Sequence, residues 1–255
     1  MNRYNDIVRM WRSWRVTSAW EIDARLKSFK ILFAYNSCKI KNNKITYQDT
    51  QEIFENGRVV NFTGEPRVLF EIGNQMLCFE FLKHKIAARV PLTARLVLET
   101  HAALTGGTYD ERQFAGRGER PGEFKKNDYL SGRWEIGSLH EDVPADMDAL
   151  LSEIMAEFTD SNILKAAAYF YLRFEYIYPF AEGNGRVGRT LLNYFLMINN
   201  HPPIVIFEDD KAAYYTALEA YIKTEDIEPM HSFLRAQLER TWENALNCEV
   251  ESKGE

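Results

Sequence analysis

Side chains able to do chemistry concentrate in one run, Pro179-Phe180-Ala181-Glu182-Gly183-Asn184-Gly185-Arg186-Val187-Gly188-Arg189. Gly183 and Gly185 clear side chains away so that successive backbone N–H groups can converge on an anion, and a helix opening there adds its positive end. Arg186 and Arg189 stand three apart on one helical face, with the geometry to grip two phosphates through paired N–H donors. Glu182 beside them can hold the Mg2+ that accompanies a nucleotide. Taken alone, these residues leave a second option open, a tight Gly-Asn-Gly turn with two solvated arginines, because short glycine-rich turns are common.

The elements around the run are helical. Ile163 to Tyr178 is apolar on nearly all sides, as in Ala166-Ala167-Ala168-Tyr169-Phe170-Tyr171-Leu172, which suits a helix in the middle of a bundle. It must stop at Tyr178, because Pro179 disfavours helical geometry in the residue before it and brings no N–H. A second helix follows the turn, with Leu191, Leu192, Phe195 and Leu196 as its apolar face, and a last pair covers about 211–222 and 229–245. Upstream, Trp20, Ile22, Leu26, Phe29, Ile31 and Phe33 recur near helical spacing over about 17–35, and Thr46 to Asn56 reads as a short helix ended by Gly57. Pro66 to Lys85 steps by three and four through Leu69, Ile72, Met76, Phe79 and Leu82; Pro91 opens the next helix and Pro144 another, and Asp160 or Ser161 can cap the one at 163. Only 106–137, glycine-rich and without a helical period, reads as loop or β-hairpin.

The run from Ile177 to Arg189 resembles the signature of the Fic family, His-Pro-Phe-x-Asp/Glu-Gly-Asn-Gly-Arg-x-x-Arg, and Arg120-Pro121-Gly122-Glu123-Phe124-Lys125 resembles that family's flap hairpin. The resemblance implies an all-α Fic (Fido) bundle of about eight helices with one small β-hairpin flap near 122–129. It divides the chain into an N-terminal helical segment, 1–90, and a Fic core, 91–246. It also implies AMP transfer from ATP to a Ser, Thr or Tyr hydroxyl of a target protein. Asn184 and the N–H groups at Gly183 and Gly185 then hold the α-phosphate, Arg186 and Arg189 serve the other phosphates with Arg189 on the γ-phosphate, and Glu182 orients Mg2+. Gly122, Glu123, Phe124 and Lys125 hold the target segment by strand-like pairing. Tyr214 and Tyr215 either reach the adenine or fill the core.

Two positions depart from the family pattern. Tyr178 stands where the family has its catalytic histidine, and a phenol with a reference pKa near 10 is a poor base at neutral pH. Burial would raise that pKa further, whereas the two nearby arginines would lower it. Tyr171 also stands where many relatives carry histidine, and His84, His101, His140, His201 and His231 read as scattered surface or packing residues, with His201 in a loop. The second departure is in Ser37-Cys38-Lys39-Ile40-Lys41-Asn42, which resembles the family's inhibitory-helix motif with Lys41 in place of its glutamate. Lys41 facing Arg189 would repel it, or bind a phosphate, or simply be solvated. The two departures together favour nucleotide binding with impaired transfer. A binding module without turnover, a Fic enzyme with changed chemistry and an engineered Tyr178 are the other options.

Composition narrows the partners. A formal net charge of −6 gives no global attraction to nucleic acid or anionic membrane, so any anion site must be local. Cys38, Cys78 and Cys248 are odd in number and widely spaced, which argues against a disulfide framework or a zinc site. With no apolar run of membrane-spanning length, the expectation is a cytoplasmic protein that binds ATP or a related nucleotide and an unidentified protein target, a homo-oligomer being open.

Overall fold

The computed structural model describes residues 3–60, 62–131, 134–135, 137–156 and 162–252. Among them are eleven α-helices: α1 (Arg3–Ser13), α2 (Ala19–Arg25), α3 (Lys27–Lys39), α4 (Tyr47–Asn56), α5 (Pro66–Ala87), α6 (Ala94–Thr105), α7 (Val143–Ala156), α8 (Ile163–Ile177), α9 (Asn184–Ile198), α10 (Lys211–Thr224) and α11 (Glu228–Ser252). The architecture is all-α, as the sequence predicts, with more helices than the eight expected.

The central pair is α8 and α9. Apolar on almost every side, α8 buries Phe170, Tyr171, Leu172 and Phe174 completely or nearly so, and α9 buries Leu191, Leu192, Tyr194 and Leu196. Gly188 sets how closely they approach: a Cβ there would lie 2.9 Å from Tyr171 Cε2 and 3.0 Å from Phe174 Cδ1. Around this pair, α7, α10 and α11 pack on α8, while α3, α5 and α6 pack on α9. No helix of the described residues is long and apolar enough to cross a membrane.

Local signals set most boundaries. Thr46 caps α4 by accepting from the Asp49 N–H, and Gly57 closes it at φ 69°. The expected 17–35 helix is instead two, with Leu26 leaving helical geometry between α2 and α3. Its buried stripe is Ile22, Leu26, Phe29 and Phe33, spaced by four, three and four, and Trp20 falls off that stripe at 77% exposure. Helix α6 starts at Ala94 rather than Pro91, because the Thr93 hydroxyl accepts from the Leu96 N–H and Thr93 keeps extended geometry. Asp160 and Ser161, the expected caps of α8, lie outside the described residues.

The hairpin expected at 122–129 is not there. Its backbone groups bond elsewhere: Gly122 N–H donates to His101 Nδ1, Lys125 N–H to the Pro179 carbonyl and Lys126 N–H to the Glu119 carboxylate. With these N–H groups committed to His101, Pro179 and Glu119, the segment does not fold back on itself as a hairpin. A two-residue antiparallel pairing follows instead, β1 (Leu130–Ser131) against β2 (Trp134–Glu135).

Candidate functional site

Helix α8 ends as Pro179 demands. Tyr178 swings to φ 52°, ψ 60°, its N–H still donating to the Phe174 carbonyl. The chain turns and re-enters a helix at Gly183, which sits at φ 88° and receives the Val187 N–H on its carbonyl. That left-handed geometry and a Cβ that would lie 2.6 Å from Thr105 Cγ2 both require glycine. Asn184 closes the turn on itself: Oδ1 accepts from the Phe180 N–H at 2.9 Å and Nδ2 donates to the Phe180 carbonyl at 2.7 Å. The residue expected to hold the α-phosphate is thus first the staple that shapes the loop.

Phe180 is fully buried and lies flat on His101, with centroids 3.7 Å apart and planes 4° from parallel. The imidazole tautomer follows from its neighbours. Nδ1 accepts from the Gly122 N–H at 2.8 Å, so Nε2 carries the proton and donates to the Glu182 carbonyl at 3.1 Å. Burial, with Arg186 adding to it against the pull of the Glu182 groups, pushes the His101 pKa down to about 4, so the ring stays neutral. From its neighbours in the chain, His101 reads only as a surface or packing residue. Its place on the buried face was readable from Val97 and Leu104 at four before and three after, but its contact with the loop was not.

Charge is balanced inside the site rather than left facing solvent. Glu182 Oε1 lies 3.1 Å from Lys41 Nζ, 3.1 Å from Arg67 Nη2 and 3.6 Å from Arg186 Nη2. Burial raises the Glu182 pKa, yet Lys41, Arg186 and Arg67 outweigh it and hold the carboxyl below its ordinary range. Behind it, Glu71 accepts from Arg67 Nε at 3.0 Å and from Asn42 Nδ2 at 2.9 Å. Lys41 therefore pairs with Glu182, where one expectation had it facing and repelling Arg189, whose guanidinium is held by Ser37 instead. The pairing joins positions 141 residues apart, which no local pattern reveals.

Neither arginine is a solvated side chain. Arg186 donates to the Leu104 carbonyl at 3.3 Å. Arg189, 3% exposed, donates through Nε to Ser37 Oγ at 3.1 Å and through Nη2 to the Ser37 carbonyl at 2.7 Å. Burial opposes its charge, but Tyr171, Tyr214 and Glu175 more than restore it. Tyr171 and Tyr214 share a 2.6 Å hydroxyl contact in the core, so Tyr214 is a filling residue, while its neighbour Tyr215 is exposed.

Tyr178 is half-buried at the mouth of the turn, with Lys125 Nζ 5.9 Å from its ring centroid. Its pKa is raised, by burial above all, then by Glu175, Glu182 and Tyr215, and a hydrogen bond with Asn184 recovers only part of this. Burial and the two carboxylates thus outweigh any lowering by the nearby cations, so the phenol's pKa moves up rather than down. The 122–125 segment flanks the same turn: Lys125 binds the Pro179 carbonyl, Phe124 stacks near Phe180 at 5.7 Å, and Glu123 pairs with Lys126.

A model of the Fic/DOC family matches residues 91–196. Similar curated proteins include the protein adenylyltransferases Fic of Drosophila persimilis and Drosophila melanogaster, each 27% identical over 213 and 214 residues. Those alignments take in 81% of this chain but 39% and 40% of the relatives, so the chain spans about two-fifths of their length. Among solved structures, a Fic domain containing signalling protein from Bacteroides thetaiotaomicron superposes with TM-score 0.79 at 24% identity, covering 99% of this chain and 97% of that one. Fic-1 from C. elegans superposes with TM-score 0.75 at 19% identity, covering 98% and 73%. The family match holds the whole 178–189 turn and the fold match runs the length of the chain: residues 91–196 are a Fic/DOC domain in a chain with the Fic fold.

Proposed function

We propose that this chain holds a nucleoside triphosphate on the turn at 183–189 and that its transfer of AMP to a protein hydroxyl is strongly impaired. The observation that carries the impairment is Tyr178, a phenol kept protonated by burial and by Glu175 and Glu182. A positioned general base contributes about 10^2 to 10^4 in rate, and a group whose pKa lies above 10 supplies little of that near pH 7. Support for nucleotide binding comes from the glycine-started helix α9, whose N-terminal end opens on the turn, and from the guanidinium groups of Arg186 and Arg189 buried beside it. Phosphoryl chemistry depends mostly on such positioning and charge. The curated relatives are protein adenylyltransferases, which makes ATP the first nucleotide to try and a Ser, Thr or Tyr hydroxyl of a protein, laid along 122–125, the acceptor.

Among the described residues no group of three or more His, Cys, Asp or Glu side chains could hold a metal ion. The one carboxylate at the turn, Glu182, already shares an oxygen with Lys41, Arg67 and Arg186, so the residues present do not suit Mg2+.

A second reading, a binding module without turnover, is favoured by the self-satisfied state of the site: Ser37 holds Arg189 and Lys41 holds Glu182. Calorimetric titration with ATP and MgCl2 tests the shared premise. Saturable one-to-one binding is expected, and no heat of binding would overturn the nucleotide reading.

A further inference from the structure

Three cationic groups surround one oxygen of Glu182, and they differ in freedom. Lys41 and Arg67 keep 66% and 37% of their side-chain surface exposed, whereas Arg186 keeps 5%. Arg186 is fixed in the core by the Leu104 carbonyl, but the other two can swing toward a phosphate without backbone movement. A divalent cation arriving at Glu182 would find one carboxylate oxygen already shared by an ammonium and two guanidinium groups and would have to stand beside them, like charge against like.

We infer that this chain binds the nucleotide's phosphates without a divalent cation, Lys41 and Arg67 supplying beside Glu182 the positive charge that Mg2+ would otherwise bring. The inference rests on the nucleotide reading above. The depressed pKa of Glu182 agrees with it, since the carboxylate is already charge-compensated by the chain itself. Mg2+ sheds its water reluctantly and needs near-ideal octahedral geometry, while a lysine carries three donors on a flexible stem and finds a phosphate oxygen with little reorganisation. Arg67 brings in addition a planar fork suited to two phosphate oxygens, and its Nε is held by Glu71 at 3.0 Å, which aims the fork at the turn.

Calorimetry with ATP in EDTA and in MgCl2, at one ionic strength, tests this on the native chain, Lys41→Ala and Lys41→Arg. The native chain is expected to bind with affinities within about threefold of each other in the two buffers. Lys41→Ala should lose about tenfold in EDTA and clearly less in MgCl2, becoming metal-dependent, and Lys41→Arg should keep metal-free binding. Native binding confined to MgCl2 overturns the inference alone, as does an equal loss in both buffers for Lys41→Ala. No binding by the native chain in either buffer overturns the nucleotide reading and this inference with it.

Discussion

At the scale of single residues, the turn is held open by side chains that the sequence assigns to a ligand. Asn184 bonds both the N–H and the carbonyl of Phe180, inside a buried turn. Asn184→Ala would strand those groups, and a stability loss of about 1–3 kcal/mol is expected from the urea midpoint; an unchanged midpoint would mean water replaces the amide freely. What was legible here was the identity of the turn and its stop at Pro179, because backbone chemistry is local. The partners were not legible. Lys41 with Glu182, Ser37 with Arg189 and His101 with both Gly122 and Glu182 join α3, α6 and the turn across long stretches of chain, and no periodicity records which helix ends meet.

At the scale of elements, the α8–α9 contact decides where the turn sits. Gly188→Ala gains about 1 kcal/mol of helix propensity but overpacks Tyr171 and Phe174 at a typical cost of 1–3 kcal/mol, so a net loss of about 1 kcal/mol is expected. A raised melting temperature in that variant would show the interface to be looser than the 2.9 Å and 3.0 Å approaches imply. Gly183→Ala should cost more, about 2 kcal/mol or above, since it adds left-handed strain to the clash with Thr105; chemical denaturation would show it, and a neutral result would mean α9 can start one residue later. Helix α8 and the caps of α4 were readable from pattern and cap chemistry. The hairpin was misplaced because glycine content and lost helical period mark an irregular segment without saying where its N–H groups go, and here they go to His101, Pro179 and Glu119.

At the scale of the whole molecule, two buried histidines link stability to pH. Burial pushes His101 and His201 from an ordinary 6.5 down to about 4 each. A depressed histidine pKa contributes stability in full above 6.5, and that stability is lost as pH falls from there toward 4, because the unfolded chain takes up the proton first. The pair together should cost about 2 kcal/mol between pH 7 and 5.5, measured by urea unfolding at both pH values; equal stability would mean water reaches both rings. The sequence left both histidines as bland residues, since burial is a property of the assembled bundle: His201 contacts Tyr4 of α1, 197 positions away. The same assembly buries the phenol of Tyr178 within reach of the Glu175 and Glu182 carboxylates, and on that rests the central claim, a nucleotide-holding Fic-fold protein without an effective base. The most direct test is intact-mass spectrometry of the native chain and Tyr178→His after incubation with ATP and MgCl2. AMP adducts on the histidine variant and none on the native chain are predicted; adducts on the native chain at a comparable rate would contradict the account.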